Sequence, residues 1–156
     1  MELAKIALRE HRYADALALL QATDQYPYNL GEGKLINAEE NDIWYYKGLA
    51  YRGLGDEENA KLWLHKATQG SAEPQQAFFY NDAQPDKIFY QGLAWRALGE
   101  EQARGRFNKL IKHGEKHLFD HCRIDYFAVS LPDLAFGGQS GQTQRHPLQL
   151  CHGIGL

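Results

Sequence analysis

Apolar residues recur along the chain at the i, i+3/i+4, i+7 spacing of amphipathic helices, and one stretch of that pattern occurs twice. Residues 42 to 55 (DIWYYKGLAYRGLG) and 86 to 99 (DKIFYQGLAWRALG) share Tyr, Gly, Leu, Ala, Arg, Leu and Gly in register at an offset of 44. Acidic residues follow each copy: Asp56, Glu57 and Glu58 after the first, Glu100 and Glu101 after the second. A second apolar stripe then begins, with Ala60, Trp63, Leu64 and Ala67 in one copy and Ala103, Phe107, Leu110 and Ile111 in the other. Each copy therefore reads as helix A, a tight turn and helix B. Gly55 and Gly99 stand where helix A must stop, because glycine tolerates the left-handed conformation that ends a helix. The acids fall in the first turn of helix B, where the helix dipole favours negative charge. Gly48 and Gly92 lie inside helix A, where glycine costs about 1 kcal/mol relative to alanine, so close approach of helix B is expected there.

A degenerate unit precedes these copies. Leu3 to Arg9 reads as its helix A, and Tyr13, Ala16, Leu17 and Leu20 as the face of its helix B. Units are expected at about 2–24, 42–68 and 86–112, followed by a further helix over 113–131 that Pro132 stops. Two long connectors, Tyr26 to Asn41 and Gly70 to Pro85, join the units. The aromatic centre of the second, Phe78-Phe79-Tyr80-Asn81-Asp82, reads as packing back over the helices. The fold class is all-α: a short right-handed α-solenoid of helix–turn–helix repeats over residues 1–136. Without a polar cap, Phe107, Leu110, Phe127 and Leu131 are expected to stay partly exposed.

The chain has 156 residues, one domain's worth, with 44% hydrophobic and 24% charged residues, a globular composition. A net charge of −3 argues against nucleic acid or an anionic membrane as the main partner. The charged start, Met1 to Glu10, shows no signal-peptide core, and no run reaches the 18 or so apolar residues of a membrane span. Cys122 and Cys151 read as free thiols, which suits a cytoplasmic location.

Trp44, Gly48, Tyr51, Ala60, Leu64 and Ala67, and in the second copy Ile88, Gly92, Trp95, Ala103 and Phe107, resemble the signature positions of the tetratricopeptide repeat (TPR). A narrower resemblance rests on Tyr26-Pro27, residues 29 to 35 (NLGEGKL), Phe79-Tyr80-Asn81-Asp82 and residues 124 to 134 (IDYFAVSLPDL). These resemble the C-terminal TPR region of a family of large bacterial proteins whose β-rich N-terminal region resembles carbohydrate-active enzymes. The resemblance implies that this chain is a C-terminal piece and that any catalysis by the parent lies elsewhere. The tail, residues 137–156, holds five of the fifteen glycines and a single charged residue, Arg145. It reads as an irregular end. A frame shifted by one base can encode a sequence resembling the start of a further repeat, so the tail is also expected to be out-of-frame translation of a truncated gene.

Candidate chemistry is sparse. Stacked A helices would line a groove with Asp42, Tyr45, Leu49, Arg52, Asp86, Phe89, Leu93 and Arg96. Aromatics with arginine are the composition of binding hot spots, and each guanidinium could grip a carboxylate with two parallel bonds. Tyr45 and Phe89 could equally pack between helices. TPR domains that clamp a chaperone's terminal carboxylate use Lys and Asn at positions held here by Asp42, Asp86, Tyr46 and Tyr90, so that ligand is not implied. His113, His117 and His121 recur every four residues beside Cys122, with Asp120 and Asp125 near them. At 1.5 Å rise per residue the outer two stand about 12 Å apart, so one ion could take two of them, and His113 with His117 is the metal alternative. Residues 31 to 34 (GEGK) lack the spacing and the following Ser/Thr of a phosphate loop and read as a turn. Ser130 reads as a helix-end residue, and nothing fixes Asp125 and Asp133 as a pair. No base–orienter arrangement marks an enzyme, and no cofactor is expected. The expected function is non-catalytic: binding a protein or peptide segment, or an adjoining domain of the parent. A truncated fragment without independent function is the structural alternative.

Overall fold

A computed structural model of the chain describes residues 1–26, 29, 31, 33, 38–74 and 85–120. Among the described residues there are six α-helices and no strand: α1 (Glu2–Arg9), α2 (Tyr13–Gln21), α3 (Asn41–Gly53), α4 (Glu57–Ala67), α5 (Pro85–Leu98) and α6 (Gln102–His117), with a 3-10 turn (Ala22–Asp24) after α2. The helices pack as consecutive pairs, α1 on α2, α3 on α4 and α5 on α6. Each A helix also touches the preceding unit: α3 meets α1 and α2, and α5 meets α3 and α4.

The same turn closes helix A in all three pairs. The amide N–H of Arg12 donates to the Ala7 carbonyl at 2.8 Å, Asp56 to Tyr51 at 3.0 Å and Glu100 to Trp95 at 3.0 Å. An inner bond accompanies each, from His11 to Leu8, Gly55 to Arg52 and Gly99 to Arg96. This is the Schellman arrangement, which needs a left-handed residue just past the helix. Gly55 and Gly99 supply it at φ +81°, and His11 supplies it at φ +58°. The 44-residue offset thus extends back into the first pair (11, 55, 99), where the sequence alone shows little similarity.

Helix A lies close on helix B because of its internal glycine. A Cβ on Gly48 would sit 2.7 Å from Leu64 Cγ and 3.2 Å from the Ala60 carbonyl oxygen. A Cβ on Gly92 would meet the Phe107 ring at 2.6 Å, so the close partner in the third unit is the aromatic ring of Phe107. Leu64, Ala67 and Ala94 form a buried cluster across the second and third units, with Trp44, Tyr45, Ala97 and Leu98 packed against it. Ala4, Ala7, Ala16 and Leu20 are the buried residues of the first pair.

Two expectations change. Leu110 is buried at 6% exposure instead of lying open, while Ile111 is exposed, so the apolar stripe of α6 is narrower than its sequence suggests. Residues 113–117, expected to begin a separate helix, are the final turn of α6, because nothing between Gln102 and His117 interrupts the helical hydrogen bonding. The remainder of 113–131 beyond Asp120, the aromatic connector at 78–82, most of residues 27–37 and the tail at 137–156 lie outside the described residues.

Candidate functional site

The groove candidates fall on the A helices α3 and α5, and adjacency of those helices brings most of them together. Asp42 accepts from Lys87 Nζ at 2.9 Å, a bond that ties α3 to α5. Both side chains are largely shielded, at 22% and 19% exposure, so this pair is less hydrated than an ordinary surface ion pair. Asp86 stays exposed beside Lys87, 3.9 Å from its Nζ.

Tyr45 and Phe89 occupy equivalent positions and are both half-buried. Tyr45 packs against the core cluster and lies 6.0 Å, centroid to centroid, from Tyr90. Phe89 meets Phe107 of α6 at 5.9 Å. Their packing role is therefore real, and Tyr46 also meets Tyr90 across α3 and α5, 5.8 Å apart and edge to face. Lys5 of α1 completes this row, its Nζ 5.7 Å from the Tyr46 ring centroid and bonded to Glu2. Burial raises the Tyr90 phenol well above its ordinary value, helped by its bond with Tyr46 and by the negative charges of Asp42 and Asp86. Burial likewise raises Tyr45, with Arg96 and Arg52 opposing it.

The two arginines differ. Arg52 donates Nη1–H to the Ala97 carbonyl at 3.1 Å and lies 3.5 Å from Glu57, so it is used to join α3, α4 and α5. Arg96 is exposed. Leu49 and Leu93 are half-buried at matching positions one turn beyond Tyr46 and Tyr90. Tyr46 and Tyr90 were legible as repeat positions, but their meeting depends on the packing of α5 on α3.

No protein-family model matches the chain, and no solved structure matches it. Among the described residues, no group of three or more His, Cys, Asp and Glu side chains is placed to hold a metal ion. Within that set no helix is long and apolar enough to cross a membrane. His113 and His117 do come together, with ring centroids 4.4 Å apart, and His117 Nδ1 lies 2.5 Å from Asp120 Oδ2. Burial lowers the His113 imidazole, and the neighbouring His117 and Lys116 lower it further against the opposing charge of Asp120. His121, Cys122, Asp125, Ser130 and Asp133 lie outside the described residues, as do Glu32 and Lys34 of the GEGK segment.

Proposed function

We propose that the chain is a non-catalytic interaction module, a short right-handed TPR-like solenoid whose A-helix face takes a protein or peptide segment. On this reading it is the C-terminal part of a larger bacterial protein, and the segment bound comes from a partner or from an adjoining domain of the parent. One observation carries the reading. Tyr46 and Tyr90 meet across α3 and α5, with Leu49 and Leu93 half-buried one turn further along the same helices and Arg96 exposed later on α5. Tyrosine offers large contact area at low entropic cost, and arginine adds directional bonding, so such a cluster is a binding hot spot when it stands on rigid helices.

A peptide library displayed on phage and selected against the full chain tests this. Enriched peptides should bind at least tenfold more weakly to Arg96→Ala and to Tyr46→Ala with Tyr90→Ala, while Lys61→Ala on the exposed side of α4 leaves binding unchanged. Peptides that bind all these variants equally would overturn the assignment. Arg96 is exposed, so its variant separates lost binding from lost folding.

A further inference from the structure

The last turn of α6 carries chemistry that the A-helix face does not use. His113 and His117 stand one helical turn apart, which sets their Cβ atoms about 5–6 Å apart on one side of the helix. Their rings are in contact, tilted by 43° with centroids 4.4 Å apart. The helix ends at His117, and the chain then folds back: the Asp120 amide N–H donates to the His117 carbonyl at 3.2 Å. That turn returns the Asp120 carboxylate to the ring it follows, with Oδ2 2.5 Å from His117 Nδ1. Both groups remain open to water, at 25% and 43% side-chain exposure.

We propose that His113 and His117 form a two-imidazole site for a borderline divalent transition-metal ion of the zinc class, with Asp120 orienting the His117 ring. The carboxylate holds the proton on Nδ1, so the lone pair of His117 is on Nε2. This carboxylate–imidazole arrangement is the one that orients metal-bound histidines and raises their basicity. Two nitrogens bound to one tetrahedral ion at 2.0–2.1 Å are about 3.3 Å apart. Side chains one helical turn apart are close enough for rotation of the tilted rings to reach that separation. Water fills the remaining positions, so the ion is held at the surface and open to exchange. Imidazole donors select Zn2+, Ni2+ and Cu2+ over Mg2+ and Ca2+, which seek oxygen.

Calorimetric titration of Zn2+ into the full, reduced chain is the test. One saturable site is expected. His113→Ala and His117→Ala should each weaken it at least tenfold, and Asp120→Asn by about 10- to 100-fold, the usual effect of removing an orienting partner. Cu2+ should bind more tightly than Zn2+ and Mn2+ more weakly, following the ordinary order for nitrogen donors. Long-range proton–nitrogen spectra should show the zinc shift at Nε2 of His117, with Nδ1 protonated before and after. A variant with His121→Ala, His146→Ala and His152→Ala should retain the site. Absence of saturable binding, loss in that triple variant, indifference to Asp120→Asn, or coordination through Nδ1 of His117 would each overturn the proposal. Circular dichroism of the variants separates lost binding from lost helix.

Discussion

The second and third units carry nearly the same helix A, and they are fastened to what precedes them by opposite chemistry. Lys47 and Gln91 are equivalent positions, 44 residues apart, and are buried at 1% and 0% exposure. Each reaches back to the end of the preceding helix B. Lys47 Nζ donates to both carboxylate oxygens of Asp24 at 2.7 Å and lies 4.5 Å from the Trp63 ring centroid. Gln91 Nε2 donates to the carbonyls of Gln69 and Ser71, both at 2.9 Å. Within the second unit, Asn41 of α3 holds the same helix end, donating to the carbonyls of Ala67 and Gln69 at 2.8 and 2.7 Å. The position keeps its task, and the group offered by the preceding turn decides the side chain. A carboxylate calls for a cation held over an aromatic face, whereas free helix-end carbonyls call for an amide with two donors.

The largest expected effect tests whether the two units share one core. Leu64 is fully buried, in the cluster with Ala94 of the next unit. Leu64→Ala should cost about 3 kcal/mol and unfold both units in one transition, read from urea melts by tryptophan fluorescence and circular dichroism together. Two separate transitions would show that the units are not coupled through this cluster.

The fastenings themselves come next. Lys47→Met should cost about 2 kcal/mol, because bonds to charged groups contribute roughly 1.5–3 kcal/mol. Gln91→Leu should cost about 1 kcal/mol, the net contribution of a neutral bond. Equal costs in chemical denaturation would mean that charge does not distinguish the units.

The turns give a smaller contrast. Gly55→Ala and Gly99→Ala force a side chain into the left-handed region and should each lose about 1 kcal/mol. His11→Gly should gain about 0.5 kcal/mol for the same reason, offset by the lost bond between the His11 ring and the Tyr13 hydroxyl at 2.6 Å. Asp56 caps α4, accepting from the Asn59 amide N–H at 3.1 Å, while Glu101 at the start of α6 makes no such bond. Asp56→Ala should therefore lower the melting temperature, and Glu101→Ser should raise it by less.

The smallest effect at neutral pH concerns Tyr90. Its folded phenol titrates above the ordinary value of 10.0, chiefly because it is buried. Below pH 10 both folded and unfolded states keep the proton, and the contribution is fully present. As pH rises past 10 the unfolded state loses its proton first, so stability falls until the folded phenol also ionises. Tyr90→Phe should flatten that alkaline loss, measured as the pH dependence of the urea midpoint.

Helix periodicity and glycine spacing made the pairs legible from residue letters alone, since a 44-residue repeat of apolar faces and helix stops depends only on local geometry. The first unit was harder to see because His11 does there what glycine does at 55 and 99. The candidate face was legible as a set of repeat positions. Which aromatics it presents was not, because Tyr45 packs on the cluster of Leu64, Ala67 and Ala94 and on Tyr90, while Phe89 turns toward Phe107. In the same way, a lysine in the middle of helix A reads as solvated, and its burial depends on Asp24, 23 residues earlier.

What the sequence determined by itself is therefore the local layer: the helix pairs among the described residues, the glycine stops of α3 and α5, and the small residues that allow close approach. These follow from short-range sterics and hydrogen bonding within a few residues. What only the tertiary structure decided is which side of each helix meets the next unit. That choice sets the burial of Lys47 and Gln91, the meeting of Tyr46 with Tyr90 and the task of Arg52. It depends on contacts between residues 20 or more apart, where packing and desolvation outweigh any local preference.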